Sequence, residues 1–474
     1  MNKYSKLLKN SGIFAIANVG SHFISFLLVR FYTELLTREQ YGMIDVMVTT
    51  TSLVIPIVSL AVVEAVLRFS IDDDKPKDVF INGLFIAVCG SIAFAFIGPW
   101  IFIRTAYRNY FLYMVALVFL TSIDNICAQH VRGVGKVIVF AVAGIIKTGV
   151  LAGSNIFLLL GLGMKIEGYL LSLIISEIVS ILFLILASKA YKGLSFRPNM
   201  PLMRQMTRYS IPLIPNSLSW WVMNAADKYA ILLMLGASSN GLYAVAHKLP
   251  SLINICNNLF FQAWQLSAVE ESKSETKAEF YSNVFNVLAL TLFMVTAVLF
   301  ILLRPIMKLL AAAEYSDAWN YTPFLIIGMV FAAFSSFLGT NYVAMKKTNG
   351  ALKTTIVGAA TNIVLNFLLI KLMGINGAAL ATMISFAITW IYRAIDTREY
   401  VYIEYKPIPL TCSIICLVGQ AIMMISGFSY SIYTGLLVCL IIIVLYKNEF
   451  FTILKMGRMI IKQKNRNVFA RYRK

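Results

Sequence analysis

Apolar residues run along this chain in long blocks, separated by short polar breaks. Fourteen blocks reach the ~20 residues an α-helix needs to cross the hydrocarbon of a bilayer. Their limits are 11–32, 42–67, 79–103, 110–130, 138–160, 166–188, 210–235, 241–268, 281–303, 320–344, 351–371, 375–395, 407–427 and 429–446. The pattern predicts an all-α polytopic membrane protein with about 14 transmembrane helices. The first block is long enough to span and lacks a small-residue cleavage site, so it reads as span 1 and not as a cleavable signal peptide.

The polar breaks predict an orientation. If the N-terminus lies inside, thirty of the 41 Lys and Arg fall on the cytoplasmic side. Seven fall on the opposite side and four, Arg30, Lys147, Lys228 and Lys248, within spans. Cytoplasmic connections favour Lys and Arg, so this bias supports both the count and cytoplasmic termini.

The blocks also repeat. Gly42 and Gly241 follow spans 1 and 7 at a separation of 199, and Arg30 and Lys228 differ by 198. Val62-Val63-Glu64-Ala65 and Phe260-Phe261-Gln262-Ala263 differ by 198, and Lys165-Ile166-Glu167-Gly168 matches Gly374-Ile375-Asn376-Gly377 at 209. Six spans are an even number, so two six-helix lobes would form a parallel repeat about an axis along the membrane normal. The expected divisions are an N-terminal lobe (1–190), a cytoplasmic linker (191–209) and a C-terminal lobe (210–400). Two further helices (401–446) and a basic cytoplasmic tail (447–474) follow. The tail interleaves Lys455, Arg458 and Lys462 with Phe451, Leu454 and Ile460, a pattern suited to a helix lying on anionic lipid.

Composition narrows the function. Only 13% of residues are charged, about half of what a soluble domain carries, which excludes a soluble enzyme. The net charge of +19 reads as a charge on the inner leaflet, with anionic membrane lipids as its partners and no nucleic acid. The six cysteines lie in apolar runs, and the Cys412/Cys416 pair has no His or carboxylate to complete a metal site. Gly133-Val134-Gly135-Lys136-Val137 lacks the first glycine and the Ser/Thr of a phosphate loop. No connection is long enough for an extramembrane catalytic domain. The reading is a transporter with no catalytic residue, metal or cofactor, and H+ or Na+ as open choices of coupling ion.

Several short segments carry a resemblance. They are Lys9-Asn10-Ser11, Leu35-Leu36-Thr37-Arg38-Glu39-Gln40-Tyr41-Gly42, Val66-Leu67-Arg68-Phe69, Tyr209-Ser210-Ile211-Pro212-Leu213-Ile214-Pro215, Asp227-Lys228, and Gly241-Leu242-Tyr243 with Ala246-His247-Lys248-Leu249. With them, nearly the whole chain resembles the polysaccharide and oligosaccharide-lipid flippases of the multidrug/oligosaccharidyl-lipid/polysaccharide exporter superfamily. The resemblance implies a two-lobed fourteen-helix fold in a bacterial cell membrane. It implies movement of a polyprenyl-pyrophosphate-linked oligosaccharide from inner to outer leaflet by alternating access. Polysaccharide polymerase or assembly proteins are implied partners. The alternatives are a multidrug exporter of the same superfamily and a peptidoglycan lipid-precursor flippase.

Charges inside spans are the candidate site, because each costs roughly 2.5–3.5 kcal/mol at a bilayer centre and needs a partner or water. Lys147, near the middle of span 5, reads as an anion-binding group or as the partner of Glu177. Arg30, Lys228 and Lys248 are the other cavity cations, suited to phosphate or an acidic sugar. Asp227 reads as a neutralising neighbour. Glu64, Arg68, Asp124 and Arg132 could form an inner gate of ion pairs that open and close. Asn216, Trp220 and Asn224 on span 7 are sugar-contact candidates, and His22 reads mainly as a core histidine.

Overall fold

The computed structural model describes residues 20, 24–72, 76–102, 107–191, 198–271, 275–345, 348–427 and 432–452. His22, Lys9-Asn10-Ser11 and the basic tail from 453 lie outside the described residues. Within them the chain is helical and holds no strand. Ten helices are long and apolar enough to cross a membrane, and Ile432–Leu445 is a shorter apolar helix.

The chain forms two compact units. The first comprises Met1–Lys248, Lys308–Asp317 and Asn362–Ala378. It holds α1 (24–35), α2 (Arg38–Val58), α3 (Val62–Asp72), α4 (Pro76–Phe102), α5 (Phe111–Gly133) and α6 (Val137–Asn155). It continues with α7 (Ile166–Ser188), α8 (Met200–Ser210), α9 (Ile214–Leu235) and α10 (Ala237–Ala246). Val62, Val66, Phe80, Ile126, Leu184 and Met206 form part of one core joining α3, α4, α5, α7 and α8.

Two continuous apolar blocks are broken helices. The block 42–67 ends α2 at Val58 and restarts as α3 at Val62, and Leu60 and Ala61 both sit at φ 51°. Pro56 has no N–H and its ring opposes the preceding turn. The backbone compensates locally, with Ser59 N–H donating to the Ile55 carbonyl at 2.9 Å and Ala61 N–H to the Pro56 carbonyl at 2.8 Å. No carbonyl need face lipid unpaired, so a break at this depth is tolerated. The block 241–268 divides at His247 into α10 and α11 (Lys248–Glu271). Pro250, three residues on, cannot donate back to the Ala246 carbonyl. The block 138–160 ends in a π-helical turn, Ile156–Gly161.

α2 and α10 cross at glycines. A Cβ on Gly42 would lie 2.0 Å from the Ala237 carbonyl oxygen, and one on Gly241 would lie 2.0 Å from that of Arg38. Only glycine lets two backbones approach this closely. The Asn240 amide donates to the Gly42 carbonyl at 2.9 Å, beside the crossing.

The second unit comprises Leu249–Met307, Ala318–Thr361 and Ala379–Lys474. It holds most of α11 and α12 (Lys277–Leu310), with α13 (Thr322–Ala344), the start of α14 (Thr348–Met373), and α15 (Ile375–Asp396), α16 (Pro407–Ile425) and α17 (Ile432–Leu445). Trp264 stacks on Phe337 at 4.4 Å, and its ring N–H donates to Thr340 Oγ1 at 2.9 Å. Arg393, grouped with the cytoplasmic basic residues by sequence, is 2% exposed. Its guanidinium donates to Thr354 and Thr355 Oγ1 and to the Ser335 carbonyl.

Candidate functional site

The intramembrane charges of the first unit gather into three groups. In the first, Lys147 sits in the middle of α6. Its Nζ bonds Asp124 Oδ2 of α5 at 2.8 Å and Glu177 Oε2 of α7 at 2.6 Å. Ser180 Oγ donates to the other Asp124 oxygen at 2.6 Å, and Thr121 Oγ1 to the other Glu177 oxygen at 2.9 Å. The carboxylates are nearly closed off, at 7% and 8% exposed, while Lys147 keeps 30%. One ammonium thus faces two carboxylates and has no free charge left over.

In the second group Lys228 of α9 meets Asp45 of α2 at 2.9 Å, with Thr49 Oγ1 at 3.3 Å. Thr50 Oγ1 and the Tyr229 hydroxyl hydrogen-bond beside it. The Trp221 ring N–H donates to the Thr49 carbonyl at 3.2 Å and to Ser52 Oγ at 3.1 Å. An ion pair and a girdle of hydroxyls therefore tie α9 to α2.

In the third group Asp227 is fully buried. Its Oδ1 accepts the Lys228 backbone N–H at 2.9 Å, its Oδ2 accepts the Tyr243 hydroxyl, and His247 Nε2 stands 3.6 Å away. Lys248 lies over the Tyr41 ring at 6.0 Å. Tyr41 stacks with Tyr32 at 6.3 Å, and Tyr32 meets Tyr169 edge-on at 5.0 Å. An aromatic wall backs that cation.

The other candidates fall elsewhere. Arg30 bonds Glu34 at 2.5 Å and donates to the carbonyls of Lys308 and Ala311 at 3.1 and 2.8 Å. Those carbonyls have no helical donor at the end of α12, and a guanidinium is a suitable cap for them. Asp124 is bound to Lys147 and Ser180, whereas Glu64 and Arg68 on α3 and Arg132 near the end of α5 are exposed. The Asn224 amide donates to the Trp220 carbonyl in its own helix at 2.7 Å. Asn216 and Trp220 are half-buried. The residue reaching across to α2 is Trp221. Asp45 and the Thr49-Thr50-Thr51 run were not singled out by sequence. Their signal was an acid followed, one turn on, by three hydroxyls in an otherwise apolar block.

The sequence matches the family model for polysaccharide biosynthesis proteins over residues 7–265. A second model, MatE, matches residues 272–368. The chain is 22% identical over 307 residues to a protein of Haloferax volcanii named as a probable low-salt glycan biosynthesis flippase, Agl15. That match spans 63% of each chain. Among solved structures it resembles the lipid II flippase MurJ in an inward closed conformation, with a TM-score of 0.69 at 14% identity, covering 95% of this chain and 100% of that one. An inward-facing multidrug resistance MATE family transporter of the MOP superfamily gives a TM-score of 0.65 at 13% identity, over 86% and 95% of the two chains.

Proposed function

Since this chain belongs to the polysaccharide biosynthesis protein family, we propose that it is a flippase carrying a polyprenyl-pyrophosphate-linked oligosaccharide from the inner to the outer leaflet. The family match over more than half of the chain carries the reading. The names of the Haloferax relative and of the MurJ structure agree with it. The membrane is a bacterial cell membrane and both termini lie inside.

A glycan headgroup cannot cross ~30 Å of hydrocarbon without polar partners. The first unit holds them on α2, α5, α6, α7 and α9. Lys147 and Lys228 are both paired with carboxylates, so neither is an uncompensated charge. An acidic sugar of the headgroup then replaces a carboxylate on the lysine, exchanging one charge-assisted bond for another. The displaced carboxylate needs a cation, which gives H+ or Na+ its place in an alternating-access cycle. Arg30 joins α1 to the Lys308 and Ala311 carbonyls at the end of α12.

The test is deletion of the gene with mass spectrometry of the lipid-linked oligosaccharide pool. Accumulation of an undecaprenyl-linked glycan with loss of surface polysaccharide supports the flippase and identifies its cargo. An unchanged pool with raised sensitivity to cationic drugs replaces it by multidrug export, the reading favoured by the MatE match.

A further inference from the structure

The first unit contains an apolar crevice of about 910 Å³ between α2, α4 and α8. Its long wall is α4, from Phe85 through Cys89 and Ala93 to Ile101. The sixteen steps from Phe85 to Ile101, at about 1.5 Å each, make it about 24 Å long. The broken end of α2 supplies Ile57, Val58 and Leu60.

α8 closes one end. Met200, Met203, Arg204 and Thr207 line the crevice and are spaced as one helix stripe. The opposite side of α8 packs Leu202 and Met206 into the core. Its position on α4 is fixed by a two-bond clasp, Asn82 Nδ2 to the Asn199 carbonyl at 3.1 Å and Asn199 N–H to Asn82 Oδ1 at 2.9 Å. The clasp sets the polar stripe at the Phe85 end.

Among the described residues Arg204 has no ion-pair partner. A comparable cleft of about 890 Å³ in the second unit differs here, because its basic residue Lys406 is paired with Glu449. The first crevice therefore combines a long apolar channel with one guanidinium free of ion pairs at a single end, while the Thr207 hydroxyl beside it donates to the Met203 and Arg204 carbonyls of its own helix at 3.0 and 3.1 Å. That is the chemistry of an anionic lipid with one long chain. Length selects the chain. A phospholipid tail anchored at one interface reaches only half of the ~30 Å hydrocarbon, about 15 Å. A chain filling 24 Å must cross the midplane, as a polyprenyl chain can.

We propose that this crevice binds the polyprenyl chain of a lipid phosphate, with the phosphate at Arg204. The assignment deepens the flippase reading and rests on it for the identity of the lipid. It places the tail on the outside of the α2–α4 pair, separate from Lys147 and Lys228.

Cys89 is exposed and lines the crevice, so it reports occupancy. The experiment uses the full chain with Cys127, Cys256, Cys412, Cys416 and Cys439 changed to alanine, in phosphatidylethanolamine nanodiscs. Maleimide labelling of Cys89 is timed with undecaprenyl phosphate, with phosphatidylglycerol, or with neither. Undecaprenyl phosphate is expected to slow labelling about fivefold, equivalent to four of five crevices filled. Phosphatidylglycerol should leave the rate near baseline. Arg204→Gln should abolish the protection, and Ala93→Trp, which adds bulk at an exposed lining position, should prevent undecaprenyl phosphate from adding any. Equal protection by phosphatidylglycerol overturns the assignment in favour of an ordinary anionic-lipid site. No protection by either overturns it altogether. The readout needs no transport, so protection with an unchanged glycan pool on gene deletion would leave the lipid site standing and remove the flippase reading.

Discussion

Lys147 holds two carboxylates from two other helices, and removing it leaves both without their cation. Breaking a fully buried pair costs about 3–5 kcal/mol. Lys147 is 30% exposed, so about 1–3 kcal/mol is expected from Lys147→Met after that discount. The loss should appear as a lower thermal midpoint in detergent. Lys147→Met combined with Asp124→Asn and Glu177→Gln should recover most of it, because no charge remains to be compensated. A single variant as stable as the wild type would show that the triad does not form. The sequence exposed Lys147, Asp124 and Glu177 as charges in apolar blocks and offered Glu177 as a partner of Lys147, but it grouped Asp124 with Glu64, Arg68 and Arg132 as an inner gate. Asp124 and Arg132 are eight residues apart, about 12 Å along one helix, which is too far for a direct bond. Asp45 escaped notice because it stands early in its block, where an acid reads as interfacial. Its partner Lys228 is 183 residues away, and only the fold brings the two together.

At the scale of the element, α2 shows what hydrophobic blocks conceal. Apolar residues on every side give the same block whether the helix is whole or broken, so Pro56 marks a possible bend in the sequence but the stop at Val58 and restart at Val62 are not legible there. Leu60 and Ala61 occupy left-handed backbone, which costs roughly 1–2 kcal/mol for a residue with a Cβ. Ala61→Gly should relieve that strain, less the ~0.5–1 kcal/mol that glycine loses in chain entropy. The expected thermal midpoint is unchanged or slightly higher, and a clear fall would mean the break is not present. The α2–α10 crossing predicts the opposite sign. Gly42→Ala or Gly241→Ala must push backbone from backbone, at about 1–3 kcal/mol each. The double variant should cost clearly less than the sum, since helices already parted for one methyl have room for the second. Additive losses would mean that the two glycines do not share one contact.

At the scale of the whole molecule, two residue pairs at the spacing of the expected repeat form a reciprocal contact between α2 and α10. Gly42 meets Ala237 while Gly241 meets Arg38. Residues 38 and 237, like 42 and 241, are 199 apart. Two copies related by a twofold axis would make such a contact, in which i meets j′ and j meets i′. The charge distribution predicts an orientation. Each Lys or Arg near an anionic inner surface contributes about 1 kcal/mol, so with the N-terminus inside the expected thirty on one face against seven on the other is a strong preference. Burial of Arg393 removes one from the thirty without altering the bias. Alkaline phosphatase, active only outside the cell membrane, tests the orientation and the span count together. Fusions after residue 190 and after residue 406 should be inactive, and a fusion after residue 108 active. A miscounted span inverts every segment beyond it. Activity at 406 with silence at 190 would therefore locate an error in the second half of the chain, whereas activity at both with silence at 108 would turn the whole protein over in the membrane.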